Sequence, residues 1–169
     1  MLQTFKTASK EALAEIAEEK KIRKTTEVFL LFAMGSQFDH LIKQKLDALG
    51  VFCLVADPAS VTADDVKKIS PIGIILSGGP ASAHSEPPPF DAAIFDIGIP
   101  VLGVCLGYQL WAFHIGVGVT SSDKREFGAH TFNILKESVL LEGFPKESKV
   151  LESHGDKIPA DAKLDIFGT

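Results

Sequence analysis

Between Val28 and Ile115 the chain alternates repeatedly between a short apolar run and a stretch with helical spacing, and nothing else in the sequence restricts the fold as strongly. Val28–Ala33, Val51–Val55, Ile72–Leu76 and Pro100–Val104 are rich in Val, Ile, Leu and Phe and have no polar face. Runs of this kind are strands covered on both sides, as in parallel sheets. After the first, Phe38–Leu49 places Phe38, Leu41, Ile42, Leu46 and Leu49 on one helical stripe and stops at Gly50. Val61–Ile69 reads as a short helix with Thr62 as N-cap, Phe90–Ile97 as helical, and Leu106–Ile115 as the last helix of the series. Strands joined by helical crossovers predict an α/β fold, a doubly wound, mostly parallel sheet with helices on both faces.

The flanks read differently. Ser9–Lys24 is a charged amphipathic helix whose apolar stripe is only Ala12, Ile16 and Ala17. It predicts an N-terminal helical extension over residues 1–25, with the domain proper over 26–169. After Gly116 the segments Thr131–Leu135, Val139–Leu141 and Val150–Ser153 predict short antiparallel strands near the C-terminus. With 169 residues, 46% hydrophobic and 23% charged, the chain can bury a real core. A net charge of −5 without a basic block argues against nucleic acid and anionic membranes as partners. No apolar run is long enough to span a bilayer, and no secretory signal precedes the two cysteines, Cys53 and Cys105. Free thiols in a reducing cytoplasm are therefore expected, with no metal site.

The chemistry concentrates where the fourth strand meets its helix, at Gly103-Val104-Cys105-Leu106-Gly107. Glycines on both sides let the backbone fold tightly around one strained residue, the layout of a nucleophile elbow. A sulfur at a helix start also meets unpaired N–H groups and the positive end of the dipole, which favours thiolate. A buried structural cysteine beside a strand–helix turn explains the same residues, and the motif alone leaves both readings open. The topology favours the first. Ligands of doubly wound sheets bind outside the carboxyl ends of the strands, where Cys105, Gly79 and the loop after Ala33 all fall. His40 and His84 are expected to be exposed, and His114 and His130 to be structural or solvated.

Five separated segments occur in one order: Gly35-Ser36-Gln37, Leu76-Ser77-Gly78-Gly79-Pro80, Pro100 through Gln109, Arg125-Glu126-Phe127-Gly128 and Ser153-His154-Gly155-Asp156. Together they resemble the class I glutamine amidotransferase family, and within it the glutaminase half of the GMP synthetases, over roughly Glu27 to Asp165. The resemblance implies that Cys105 attacks the carboxamide of glutamine to form a γ-glutamyl thioester. The amides of Gly79 and Leu106 would then bind the oxyanion. Gln109, Ser153, His154 and Gly155 would hold the backbone end of the substrate. It implies no cofactor in this domain. ATP and magnesium would belong to an ATP-pyrophosphatase partner domain, which accepts the ammonia to convert XMP to GMP and through which a homodimer would form.

The chain departs from the family at one place that bears on activity. The family's triad takes its histidine and glutamate from a His-Pro-Glu segment downstream of Ser-His-Gly-Asp, and no His-Pro-Glu occurs in these 169 residues. A cysteine amidohydrolase needs a base for the thiol and an acid for the leaving amine. This chain alone is accordingly expected to be inactive or weak. The rival expectations are a glutamine-binding or regulatory module that turns over little, and another cysteine hydrolase of the same fold, such as a γ-glutamyl hydrolase. Ala33-Met34 also replace the family's usual acidic residue and its neighbour before Gly35-Ser36-Gln37.

Overall fold

The structure is a computed structural model that describes residues 4–158 and 163–168. The chain divides into two compact units, Met1–Gly116 and Val117–Thr169.

The first unit is built on a five-stranded parallel sheet. In chain order it runs β1 (Thr4–Phe5), α1 (Lys10–Ile22), β2 (Phe29–Phe32), α2 (Asp39–Ala48), β3 (Cys53–Ala56), α3 (Ala63–Ile69), β4 (Gly73–Leu76), β5 (Val101–Gly103) and α4 (Leu106–His114). The strand order is β1-β3-β2-β4-β5. Register aligns Leu31 with Val55 and Ile75, and Phe32 with Ala56 and Leu76. Because side chains alternate along a strand, these two rows point to opposite faces. Leu31, Val55, Ile75 and Cys53 pack against Ile42 and Leu46 of α2 on one face. On the other, Gly107 of α4 lies directly on Leu76. Covering both faces is what turns β2 and β4 into uninterrupted apolar runs, with Leu30, Leu31, Phe32 and Leu76 fully buried.

The expected helices form close to their predicted bounds, and the caps explain where they start. Ser9 accepts from the Ala12 amide ahead of α1, which buries only Ile16. Thr62 and Asp65 form a reciprocal capping box at α3. Asp65 Oδ1 also accepts from the Ala8 amide at 3.0 Å, which ties the segment leading into α1 to α3. Leading residues Thr4 and Phe5 pair with Val55 and Ala56, so the N-terminal segment supplies an edge strand as well as a helix. Phe90–Ile97 is a correction: only Ala92–Asp96 is helical, and as a 3₁₀ turn. The segment is confined between Pro87-Pro88-Pro89 and Gly98, too short for a stable α-helix. Asp91 caps it and also accepts from the Ala63 amide at 2.8 Å.

The second unit carries an antiparallel pair, β6 (Thr120–Asn133) and β7 (Glu147–Lys157). These strands are much longer than the short ones expected at Thr131–Leu135 and Val150–Ser153. Ser121–Glu126 contain no apolar residue, so no alternation marks them as strand. The ladder pairs Ser121 with Asp156 and Glu126 with His154, with an irregularity between the two. Val139–Leu141 forms a 3₁₀ turn rather than a strand.

Candidate functional site

At the junction of β5 and α4, Cys105 has φ 50° and ψ −108°. Non-glycine residues pay for this region with strain of about 1–3 kcal/mol, which the surrounding structure must impose. It does so through two contacts that exclude any side chain. A Cβ on Gly107 would sit 2.4 Å from the Leu76 carbonyl oxygen, and one on Gly103 would sit 2.5 Å from the Tyr108 amide nitrogen. The helix can therefore approach the strands closely enough to force the turn. Backbone hydrogen bonds fix it: Val104 N–H to Leu76 O at 2.9 Å, Gly107 N–H to Val104 O at 3.0 Å, and Gln109 N–H to Cys105 O at 3.0 Å.

The result separates the two cysteines. Cys105 is exposed and Cys53 is buried. Burial pushes the Cys53 thiol up to about 11, with the charge of Asp47 adding to the rise and Lys43 opposing it. Cys53 is thus an inert core residue beneath α2.

The Ser77-Gly78-Gly79 loop, leaving the end of β4, runs alongside the elbow. A Cβ on Gly78 would lie 3.5 Å from Cys105 Cβ. One on Gly79 would lie 2.2 Å from the Met34 carbonyl oxygen and 2.9 Å from Leu106 Cδ2. Gly79 and Leu106, the two residues expected to supply oxyanion donors, are therefore neighbours beside Cys105. Gln109 sits one turn further along α4 and is buried. Four of the predicted site residues, Cys105, Gly79, Leu106 and Gln109, are brought together within the first unit.

The Ser153-His154-Gly155 segment belongs to the second unit, in β7, where Ser153 pairs with Phe127 and His154 with Glu126. The two sequence signatures Arg125-Glu126-Phe127-Gly128 and Ser153-His154-Gly155 are thus set side by side by register. The side chains of Ser153 and His154 lie outside the described residues. His40 and His84 are exposed, and His114 hydrogen-bonds Asp96 at 3.1 Å with its ring 5.2 Å from that of Phe95.

Two buried polar residues, Ser77 and Asp39, had been given no role in the sequence. Ser77 is fully buried; its hydroxyl accepts from the Met34 amide at 2.9 Å and donates to the Gly78 carbonyl at 3.0 Å. Asp39, the first residue of α2, is 7% exposed. Burial pushes its carboxyl above the ordinary carboxylate value. The nearby Ser77 hydroxyl, the Gly35 and Ser36 amides and the charge of His40 act against that rise. In the sequence Asp39 is merely an acidic residue in a helix's first turn, a common and uninformative placement.

An exposed cysteine on a strained strand-to-helix turn, with a glycine loop against it at the carboxyl edge of a parallel sheet, gives this α/β protein the backbone geometry of a nucleophile elbow. The chain belongs to the class-I glutamine amidotransferase family, whose model matches residues 30–168. Among curated relatives, it is 41% identical over 130 residues to the glutamine-hydrolyzing GMP synthase of Aquifex aeolicus, covering 76% of this chain and 25% of that protein. It is 39% identical over 137 residues to the glutamine-hydrolyzing GMP synthase of Lactococcus lactis, covering 80% of this chain and 26% of the relative. The chain thus spans about a quarter of the length of these relatives. A glutamine amidotransferase from Thermotoga maritima shares the fold at a TM-score of 0.61 and 17% identity, over 79% of this chain and 62% of that one. Among the described residues, no group of His, Cys, Asp and Glu is arranged to hold a metal ion, and no helix is long and apolar enough to cross a membrane.

Proposed function

We propose that this chain is the glutamine-binding and thioester-forming part of a glutamine-hydrolysing GMP synthase. The observation that carries the reading is the convergence of the exposed Cys105 elbow with Gly79 and Leu106, in a chain of this family. The Cys105 thiolate adds to the carboxamide carbon of glutamine, and the negative charge gathers on the former carbonyl oxygen. That oxygen is met by the Gly79 and Leu106 amides, since donors aimed at developing charge lower the barrier. The C–N bond then breaks, the nitrogen takes a proton and departs as ammonia, and a γ-glutamyl thioester remains. Water adds to the thioester, the C–S bond breaks, and glutamate and the free thiol are released.

Gln109 and the Ser153-His154-Gly155 segment bind the α-amino and α-carboxylate end in this reading. The protons of the first step are handled by a His–Glu pair from outside these 169 residues. The ammonia passes to an ATP-pyrophosphatase domain that aminates XMP. A reducing cytoplasm suits a protein whose two cysteines form no disulfide with each other.

The test is covalent labelling with a glutamine analogue whose carboxamide is replaced by a chloromethyl ketone, located by mass spectrometry. Labelling at Cys105, protection by glutamine and loss in Cys105→Ala are expected. No labelling, or labelling no faster than with a chloroketone lacking the α-amino and α-carboxylate groups, overturns the reading.

A further inference from the structure

One buried hydroxyl joins the loop after β2 to the loop after β4. Ser77 is fully buried. Its oxygen accepts the Met34 N–H at 2.9 Å, and its proton goes to the Gly78 carbonyl at 3.0 Å. The backbone adds a further tie, Ser77 N–H to the Phe32 carbonyl at 3.2 Å. The two bonds of the hydroxyl do different things. The one from Met34 links segments 43 residues apart and satisfies an amide that burial would otherwise orphan. The one to Gly78 links chain neighbours, so it holds no element to another. What it fixes is one peptide group.

That peptide has little else to fix it. Gly79 can carry no side chain, because a Cβ there would lie 2.2 Å from the Met34 carbonyl oxygen. Gly78 precedes it, and a peptide between two glycines has the widest choice of φ and ψ on either side. The peptide is also one rigid trans plane, with the Gly78 carbonyl and the Gly79 N–H pointing in opposite directions. A bond that anchors the carbonyl therefore aims the amide. Among the described residues the Gly79 N–H donates to no acceptor of its own that would hold it in one direction.

We propose that Ser77 is a positioning residue for glutamine hydrolysis: its hydroxyl, by holding the Gly78 carbonyl, keeps the Gly79 N–H aimed at the developing oxyanion. Being fully buried, Ser77 does not touch substrate. This role rests on those proposed for Cys105 and Gly79, and names the group that supports them.

The experiment compares two electrophiles on the intact chain. With the chloroketone analogue of glutamine, the Cys105 sulfur displaces chloride while the ketone oxygen takes on charge in the oxyanion position. Iodoacetamide also alkylates the sulfur, displacing iodide, but builds no oxyanion. Wild type, Ser77→Ala, Ser77→Thr and Ser77→Val are compared, the last two having one shape with and without the hydroxyl. Urea unfolding shows that each is folded. Chloroketone labelling is followed against concentration, which separates the saturating rate from the half-saturating concentration. Ser77→Ala and Ser77→Val are expected to lose about tenfold or more in saturating rate, with half-saturating concentration and iodoacetamide rate changed by less than about twofold. Ser77→Thr should stay within about threefold of wild type. Wild-type chloroketone rates in Ser77→Ala and Ser77→Val overturn the proposal. So do an equal slowing with both reagents, a loss confined to the half-saturating concentration, or equal losses in Ser77→Thr and Ser77→Val. A wild type that shows no preference for the glutamine analogue removes the underlying reading instead, and this proposal with it.

Discussion

Replacing Gly107 by alanine tests the physical basis of the elbow. The added Cβ would lie 2.4 Å from the Leu76 carbonyl oxygen, 2.5 Å from Leu76 Cβ and 2.9 Å from its carbonyl carbon. Carbon atoms in contact settle at about 3.5–4.0 Å, so α4 must retreat from β4 by roughly 1 Å. No rotamer change relieves the clash, because the opposing atoms are the backbone and Cβ of a central strand. Overpacking typically costs about 1–3 kcal/mol, and a contact against backbone belongs at the upper end. With a urea dependence of about 1–3 kcal/mol per molar, the midpoint falls by about 1 M or more. The retreat also carries the first turn of α4, and with it Cys105 and the Leu106 amide, about 1 Å from position. A displacement of that size costs on the order of a hundredfold in rate at a reacting group. Trp111, the single tryptophan, lies in α4 and reports the unfolding by fluorescence. Gly50→Ala is the control. Its φ of 74° strains any side chain, but nothing lies within 4 Å of the added carbon. It should cost about 1 kcal/mol and leave chloroketone labelling of Cys105 unchanged. If Gly107→Ala matches Gly50→Ala in both urea midpoint and labelling rate, the elbow does not depend on close packing of α4 on β4.

Three further outcomes follow from the same structure. Iodoacetamide at pH 8 should modify Cys105 and leave Cys53 intact, since a thiol pushed up to about 11 is roughly one part in a thousand thiolate there; peptide mapping reads this directly, and comparable modification of Cys53 would contradict its burial. Gly79→Ala places a carbon 2.2 Å from the Met34 carbonyl oxygen and should reduce chloroketone labelling more than tenfold, with iodoacetamide alkylation much less affected. Asp65→Asn should destabilise the first unit by about 1–3 kcal/mol at pH 7. Burial would raise the Asp65 carboxyl, but hydrogen bonds from the Thr62 and Ala8 amides and the Thr62 hydroxyl, with Lys68 nearby, hold it below its ordinary 3.8. A lowered folded-state value means that the contribution is complete above pH 3.8 and disappears as pH falls through the lower folded value. The gap between variant and wild type in urea unfolding should therefore close in acid; a gap unchanged at pH 2 would assign the loss to packing.

Where sequence and structure part company, the reason is local. Thr62, Ser9 and Gly50 announce helix ends because capping and left-handed turns are settled within a few residues. The same is true of Gly103 and Gly107, whose spacing around Cys105 marked the elbow. Phe90–Ile97 misled because its apolar spacing fits an α-helix, while the three prolines before it and Gly98 after it leave room only for a 3₁₀ turn. Thr120–His130 escaped notice because Ser121–Glu126 are all polar, and a run without alternating apolar residues leaves no period in the sequence.

The sequence by itself determined the parallel α/β architecture, the elbow at Cys105 and the family, because these rest on periodicity, glycine spacing and motif order. Only the tertiary structure decided which cysteine is exposed, that Gly79 and Leu106 meet beside it, and that Arg125–Gly128 and Ser153–Gly155 share a ladder. It alone also decided that Asp39, an ordinary first-turn acid in the sequence, is buried. Burial and non-local contact arise from strands 40 or so residues apart being laid in register, and no local pattern records them.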